Sequence, residues 1–448
     1  MPTHPTRNVA LVGTGGRGLM YNRAVTERPD MRIAALLDLN AGRMAFHNSQ
    51  IRNAGSDPAA TYAPDDFDAM VSSNDIDTLV VTSMDVTHDT YIVAGLEAGL
   101  RVITEKPMTT DGPRARRILD TVERTGNHPT VTFNYRYNPV HERFATLLSE
   151  GAIGNIVSVH FEWTLNTRHG TDYFRRWHRD KANCGGLMVH KASHHFDLVN
   201  WWISQRPQTV MAFGQKAFYG RENGTRLGLR RDYERATGSP EAATDPYALD
   251  LAADPRNREM YLDAEKYDGY QRDQNVFGDG ITSEDDMAVL VRYDQGATMS
   301  YHLTAYSPWE GYRVMINGTG GRLELDVVES EWTVPPSGST AQTALHGEGA
   351  APNAGGAQIL LRRLWEPPVV VDVPFDHAGH GGGDARLLND LFGRIDGAPV
   401  DASASDASRL RANEVDGAMA MAVGAAANVA FETGQPVQID ELLGGPIG

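Results

Sequence analysis

The sequence predicts an α/β chain in two domains: a doubly wound parallel sheet, then an α+β domain with a large, mostly antiparallel sheet. Three observations carry this. Short apolar runs alternate with helical stretches from Asn8 to Val131. A glycine turn separates the first of those runs from the first helix. After Pro139, alternating strand patterns joined by reverse turns replace that repeat. A chain of 448 residues also exceeds what one core ordinarily serves. The boundary is placed at 138, giving domains 1–138 and 139–448.

In order, Val9 to Val12 reads as a buried strand, then the glycine turn, then a helix through Ala24 and Val25. Ile33 to Leu37, Thr78 to Thr82, Arg101 to Thr104 and Pro129 to Phe133 read as further strands, with a helix near Thr90 to Ala98. The interval from Leu39 to Asp75 holds a helix and a weaker strand around Thr61. Strand–helix–strand repetition of this kind implies a parallel sheet covered on both faces. His141 to Glu150 is a helix bridging the domains. Ile156 to Trp163, Met287 to Tyr293, Ala297 to Thr304, Tyr312 to Asn317 and Arg322 to Val327 alternate like half-buried strands. Gly214 to Asn275 and Ser337 to Gly356 look irregular, the second being Gly/Ala/Ser/Thr-rich. Helices over Asp384 to Ile395 and Ala407 to Thr433 close the chain, and the Ala-rich last helix should pack tightly on a neighbour.

Lys plus Arg total 41 and Asp plus Glu 58, a formal charge of −17. Such a chain repels phosphate backbones and anionic lipid, so no nucleic acid and no membrane partner is expected. No apolar run reaches the roughly 18 residues of a membrane helix, and the N-terminus lacks a secretory apolar region. The single Cys184 cannot form an internal disulfide. A cytoplasmic location is expected.

Gly13-Thr14-Gly15-Gly16-Arg17-Gly18 is a G-x-G-x-x-G between a strand and a helix. In that setting Gly13 permits the turn, Gly15 lets backbone approach a pyrophosphate, and Gly18 lets helix and strand pack closely. A plain glycine turn is the competing explanation. Asp38 ends the second strand, 20 residues after Gly18. A carboxylate there accepts hydrogen bonds from ribose hydroxyls and repels a 2′-phosphate, which favours NAD over NADP. Nearby Arg43 leaves NADP possible, although a solvated helix residue is its plainer reading. The first domain is therefore expected to be a Rossmann domain. Thr82, Ser83, His88, Glu105 and Lys106 complete the expected cofactor-binding set with Gly16 and Arg17.

Glu105-Lys106-Pro107 follows a strand, at the carboxyl edge where open α/β sheets bind ligands. A lysine there can approach a nicotinamide and a substrate hydroxyl, though an exposed lysine is the commoner case. The segment from Cys184 to Asp197 holds His190, Lys191, His194 and His195 behind Gly185-Gly186. The glycine pair should open one helix ending before Pro207, with His190, His194 and Asp197 on a shared face. A histidine titrating near neutrality suits a general base, and Asp197 could orient it or lie near the nicotinamide ribose. His-x-x-x-His also suits a metal, but no H-E-x-x-H and no cysteine cluster accompanies it, so no metal is expected.

These motifs, with the Asn134-Tyr135-Arg136-Tyr137-Asn138-Pro139 run, occur in an order that resembles the glucose–fructose oxidoreductase / inositol dehydrogenase / rhizopine-catabolism (Gfo/Idh/MocA) family. The resemblance is firm over residues 8 to 203 and looser to about 330. It implies a Rossmann domain followed by an α/β domain with an open sheet that often mediates homodimers or homotetramers. It implies NAD(P)-linked oxidation or reduction of sugars, inositols and polyols, with Lys106 near nicotinamide and substrate and His194 as acid/base. Many relatives carry Asp where this chain has His190, a departure that implies a different proton relay or substrate. His190 is kept as a third catalytic candidate. Arg136, Tyr137, Lys191, His195, Asp197 and His380 are the substrate-binding candidates. His380 enters through the Gly-His-Gly-Gly-Gly-Asp run, which resembles one in the family's redox glycosidases; the alternative is a flexible turn with Asp384 capping the next helix. An NAD-dependent dehydrogenase of a sugar, glycoside or cyclitol is the leading expectation. A redox glycosidase is the alternative: oxidation, elimination, water addition, reduction. A non-catalytic ligand sensor is a third, opposed by the presence of Lys106 and His194.

Overall fold

The computed structural model describes residues 6–333, 355–373, 379–395 and 409–447. Its first sheet has six parallel strands: β1 (Arg7–Val12), β2 (Met31–Leu37), β3 (Ala60–Tyr62), β4 (Thr78–Val81), β5 (Arg101–Thr104) and β6 (Thr130–Val131). Their order is β3-β2-β1-β4-β5-β6. All five residues of β1 from Asn8 to Val12 are buried, as are all of β4, because helices cover both faces. The order reverses between β1 and β4. The carboxyl ends of β1, β4 and β5 therefore bring Gly13, Thr82 and Glu105 to one crevice.

The second sheet has nine strands: β7 (Ile156–Asn166), β8 (Pro207–Gln215), β9 (Asp286–Tyr293), β10 (Thr298–Ser307), β11 (Glu310–Gly318), β12 (Gly321–Ser330), β13 (Gly356–Arg363), β14 (Val369–Val371) and β15 (Val437–Gln438). The order is β14-β13-β12-β11-β7-β10-β9-β8-β15. Only the β7–β10 pair is parallel. In β9 and β10 every second residue is buried, so one face meets the core and the other is open. The Glu414–Thr433 helix lies on the covered side. A Cβ on its Gly424 would come within 2.3 Å of the Met188 carbonyl oxygen, so small residues set the tight packing read from its composition.

Several expectations need correction. The helix ends at Ile203, before Pro207 as expected, but Pro207 begins a strand, β8, that was not expected. Strands β13, β14 and β15 carry no clear alternation and were not expected. The Ala-rich helix starts at Glu414, and residues 407 and 408 lie outside the described residues. So does most of the 337–356 stretch, whose end forms the start of β13. Residues 214–275, irregular in sequence, are ordered on the rest of the chain. After β8 they fold into short helices that lie back on the first domain as a strap. Phe46 forms a buried cluster with Leu249, Leu251, Met260 and Tyr261, and the buried Asn40 side chain donates to the Ala264 carbonyl at 2.9 Å. The chain returns once more to the first domain through the Gly383–Phe392 helix, whose Leu387, Leu391 and Phe392 share a core with Val9, Leu11 and Tyr21.

The histidine segment is two helices, Gly186–His190 and Ser193–Ile203. The Lys191 amide donates to the Leu187 carbonyl as in an α-helix, but the Ala192 amide donates to the same oxygen five residues back, a π-type widening that breaks the register. His190 and His194 therefore do not share one helix face.

Candidate active site

The glycine loop is shaped by close approaches. Gly13 has φ +89°, and a Cβ there would sit 2.4 Å from the Ser83 amide nitrogen. A Cβ on Gly18 would meet the Gly13 carbonyl oxygen at 2.7 Å, whereas one on Gly15 would meet nothing within 4 Å. Turn and helix packing thus need Gly13 and Gly18, and Gly15 faces open space. Thr82 Oγ1 donates to the Gly13 carbonyl at 2.6 Å. Asp38 holds the loop from the other side: Oδ2 accepts from the Thr14 amide at 2.6 Å and the Thr14 hydroxyl at 2.8 Å, and Oδ1 from the Asn40 amide at 2.8 Å. Arg43 is not a solvated helix residue. It bridges Asp38 at 3.3 Å and Asp268 of the strap at 2.5 Å. The Tyr261 hydroxyl of the strap accepts from the Gly16 amide at 3.1 Å.

One short loop joins this crevice to the histidines. Glu105 accepts from Arg17 Nε at 2.6 Å and the Tyr21 hydroxyl at 2.8 Å. Next to it, Lys106 Nζ donates to the His190 carbonyl at 3.1 Å. Burial pushes the Lys106 ammonium down to about 8, against the opposing pull of Glu105 and Asp85. His88 braces the loop: its ring nitrogens lie 2.8 Å from the Pro107 carbonyl and 3.1 Å from the Ser83 carbonyl.

His190 Nδ1 lies 2.5 Å from Asp85 Oδ2. Burial lowers the His190 pKa well below its ordinary value, helped by Lys106 and Arg176. A hydrogen bond at Nδ1 fixes the ring and leaves Nε2 for a ligand. His178 packs on His190 with ring centroids 4.0 Å apart. His194 is buried beneath Tyr135, stacked at 4.6 Å, and Lys191 donates to the Tyr135 hydroxyl at 3.3 Å. Lys191 also lies over the Trp163 ring at 4.8 Å.

A family model described as "Oxidoreductase family, NAD-binding Rossmann fold" matches residues 7–133, and one described as "Oxidoreductase family, C-terminal alpha/beta domain" matches 145–439. The chain belongs to the Gfo/Idh/MocA family. Among its relatives is the Bacillus subtilis (strain 168) protein named "Putative oxidoreductase YteT", 33% identical over 398 residues, covering 86% of this chain and 88% of that one. Inositol 2-dehydrogenase 2 of Saccharopolyspora erythraea is 26% identical over 212 residues, covering 46% of this chain and 57% of that one. The crystal structure of GenD2 from gentamicin A biosynthesis, in complex with NAD, shares the fold at TM-score 0.59 and 17% identity, covering 98% of this chain and 97% of that one.

Within this family member the substrate-binding candidates separate. Lys191 stays at the site. Arg136 and Asp197 are instead paired with each other, at 2.6 and 2.8 Å, both almost fully buried. Arg136 also reaches Asp416 of the Glu414–Thr433 helix. Tyr137 is a core residue, its hydroxyl on Asp390 at 2.7 Å. His195 has no exposed surface; it stacks on Trp163 at 4.0 Å and meets the Tyr301 hydroxyl. The His380 side chain lies outside the described part of the structure. Arg17 is committed to Glu105 and to Asp384, so its side chain is a tether between segments; only its backbone faces the loop. Asp384 takes part in that tether and also accepts from Asn134.

Asp85, His178 and Arg176 were not expected at the site. Arg176 and His178 lie in a segment with no motif of its own, and Asp85 sits between Ser83 and His88 of the expected cofactor set. The one signal was the His190 position: a histidine in place of the relatives' aspartate invites a carboxylate from elsewhere, and Asp85 supplies it.

Proposed function

We propose that this oxidoreductase transfers hydride between a hydroxyl of a sugar, glycoside or cyclitol and a nicotinamide, with NAD preferred. One observation carries the reading. The Glu105-Lys106 pair ties the glycine loop, through Arg17, to the histidine cluster, through the His190 carbonyl. The loop fits a dinucleotide, since Gly15 faces open space while Gly13 and Gly18 are closed off. Gly15, Gly16 and the Arg17 backbone would hold the pyrophosphate and Asp38 the ribose. A nicotinamide bound there supplies the hydride acceptor. NAD is favoured because Arg43, the nearby cation, is already neutralised between Asp38 and Asp268.

His194 takes the hydroxyl proton in this reading, lying beneath Tyr135 in a buried, low-dielectric setting. Lys106 donates to the same oxygen and stabilises negative charge on it. His190, held by Asp85, is a second proton acceptor. The test is NADH absorbance with a broad panel of sugars, glycosides and inositols, run with NAD and NADP in parallel. NADH formation that Lys106→Met abolishes is expected; equal rates in the variant would defeat the assignment.

The redox-glycosidase reading draws on a different observation. The strap seats Tyr261 on Gly16, a closure suited to a nucleotide that stays bound while the hydride returns. Nitrophenyl glycosides separate the two, since a glycosidase releases nitrophenol with no net NADH. Self-association through the open face of the second sheet, where Phe213 and Leu290 are exposed, is part of the same proposal. No helix among the described residues is long and apolar enough to cross a membrane.

A further inference from the structure

The chemistry beside Lys106 and His190 is lopsided. His178 is 2% exposed, and neither ring nitrogen has a hydrogen-bond partner. Arg176, two residues earlier, has a side chain only 16% exposed, lying over the Tyr173 ring at 5.1 Å. Its Nε makes no well-aligned hydrogen bond; it lies 3.3 Å from Asp172, and Asp85 is a second anion in its field. Asp172 is already served by Arg272 at 3.1 Å. Lys106 spends one of its three donors on the His190 carbonyl. The anions nearby are taken: Glu105 by Arg17 and Tyr21, Asp85 by His190. Buried polar groups ordinarily find partners, and a buried guanidinium most of all. Donors outnumber acceptors around Tyr173, which lies 5.6 Å from His190 and 5.8 Å from His178 between ring centroids: Arg175, Arg176 and Arg272 share Asp172, and neither ring nitrogen of His178 has a partner.

A metal ion is the rival occupant, because ligand atoms of Asp85, His178 and His190 lie within 4.8 Å of one another. The surroundings oppose it. Both histidines have Lys106 and Arg176 as their charged neighbours, and Asp85 is the one carboxylate in the trio. A divalent cation would be repelled where an anion is drawn in.

Resting on the proposed function, we infer that the substrate is a sugar acid, whose carboxylate binds Arg176 and His178 while its reacting hydroxyl lies at Lys106. A carboxylate is planar and matches the guanidinium fork with two parallel hydrogen bonds. The neutral His178 ring donates one more. Anchoring at that end fixes which hydroxyl reaches Lys106.

The test pairs binding with turnover. Calorimetry on the purified protein compares D-glucuronate and D-galacturonate with their methyl esters, which keep the shape and lose the charge. The acids are expected to bind at least tenfold tighter than the esters. Arg176→Met and, separately, His178→Asn should remove that preference, with folding checked by thermal melting. NAD affinity should stay within twofold in Arg176→Met. The same acids should outpace glucose and galactose in NADH formation. Equal binding of acid and ester overturns the inference, as does turnover confined to neutral sugars. A tenfold loss of NAD affinity in Arg176→Met would give the donors to the pyrophosphate instead. Binding of inorganic phosphate in place of the acids, or a stoichiometric divalent metal lost in His178→Asn, overturns it too. Acid binding without NAD reduction by any substrate leaves the carboxylate subsite standing and defeats the dehydrogenase reading alone.

Discussion

The two sides of the crevice are finished differently. On the glycine-loop side the carboxylates are saturated: Asp38 accepts from Thr14, Asn40 and Arg43, and Glu105 from Arg17 and Tyr21. On the histidine side donors are in excess: His178 has two unpartnered ring nitrogens, and Arg176 shares Asp172 with Arg175 and Arg272. A saturated frame holds its shape with or without a ligand, which suits a cofactor whose structure does not vary. An unsaturated pocket is completed by what it binds, so it selects on chemistry. Preorganisation on one side and unmet hydrogen bonds on the other divide positioning from specificity.

The largest expected effect tests the joint between the sides. Lys106→Met should lower kcat/KM by about 10³-fold, ~4 kcal/mol of transition-state stabilisation, while NAD affinity measured by fluorescence is unchanged. A parallel loss of NAD affinity would mean the two sides are not separable. The same lysine predicts a pH limb. Its pKa is lowered to about 8, so the charged donor is present below that pH and lost as pH rises through it. The wild-type kcat/KM should fall above pH about 8, and Lys106→Arg should carry the limb to higher pH; a limb unmoved by Lys106→Arg assigns it to another group.

Next comes a residue pair that sequence reasoning put in the pocket and the structure puts in the core. Arg136→Met leaves Asp197 buried without its partner, so it should cost about 3 kcal/mol of stability, read by denaturant unfolding. KM should hold at a temperature where the variant is folded. A raised KM with unchanged stability would return Arg136 to the substrate.

On the cofactor side, Asp38→Asn removes the charge from the hydrogen bonds to Thr14. About 2 kcal/mol, or ~30-fold in NAD dissociation constant, is the expected loss, with NADP affinity affected less. Equal losses for both nucleotides would show Asp38 shaping the loop without reading the ribose.

How much was legible follows the same division. The parallel strands, Gly13, Gly18 and Asp38 are local: a buried run, a turn that tolerates no Cβ, a carboxylate at a strand end. Sequence spacing alone places them. The split at Lys191 and Ala192 was not legible, because nothing in the histidine segment reads as a breaker; the doubled hydrogen bond to Leu187 makes it. Once the register breaks, Asp197 turns to Arg136, and His195 enters the aromatic stack. The carboxylate partner of His190 lies 105 residues away in the chain. Arg176 and His178 matter only because donors outnumber acceptors around them, and no one-dimensional pattern records that balance. The strap was not legible for a related reason. Its apolar residues are spaced to fit Phe46 and the glycine loop, so they follow no helical or strand period of their own.

That strap gives the smallest and most discriminating effect. Tyr261 is the one strap residue shown to touch the glycine loop by hydrogen bond, at the Gly16 amide that a pyrophosphate would use. If the strap closes over a bound dinucleotide, Tyr261→Phe removes one hydrogen bond, worth about 1 kcal/mol, and should speed NAD release by ~5-fold in stopped-flow displacement. If the hydroxyl instead competes with the phosphate for that amide, the same variant should bind NAD faster and tighter. The sign of the change therefore decides between clamp and competitor. It bears on the choice between the two catalytic readings as well, since a nucleotide clamped for many turnovers suits a hydride that is returned, and a freely exchanging one suits net oxidation.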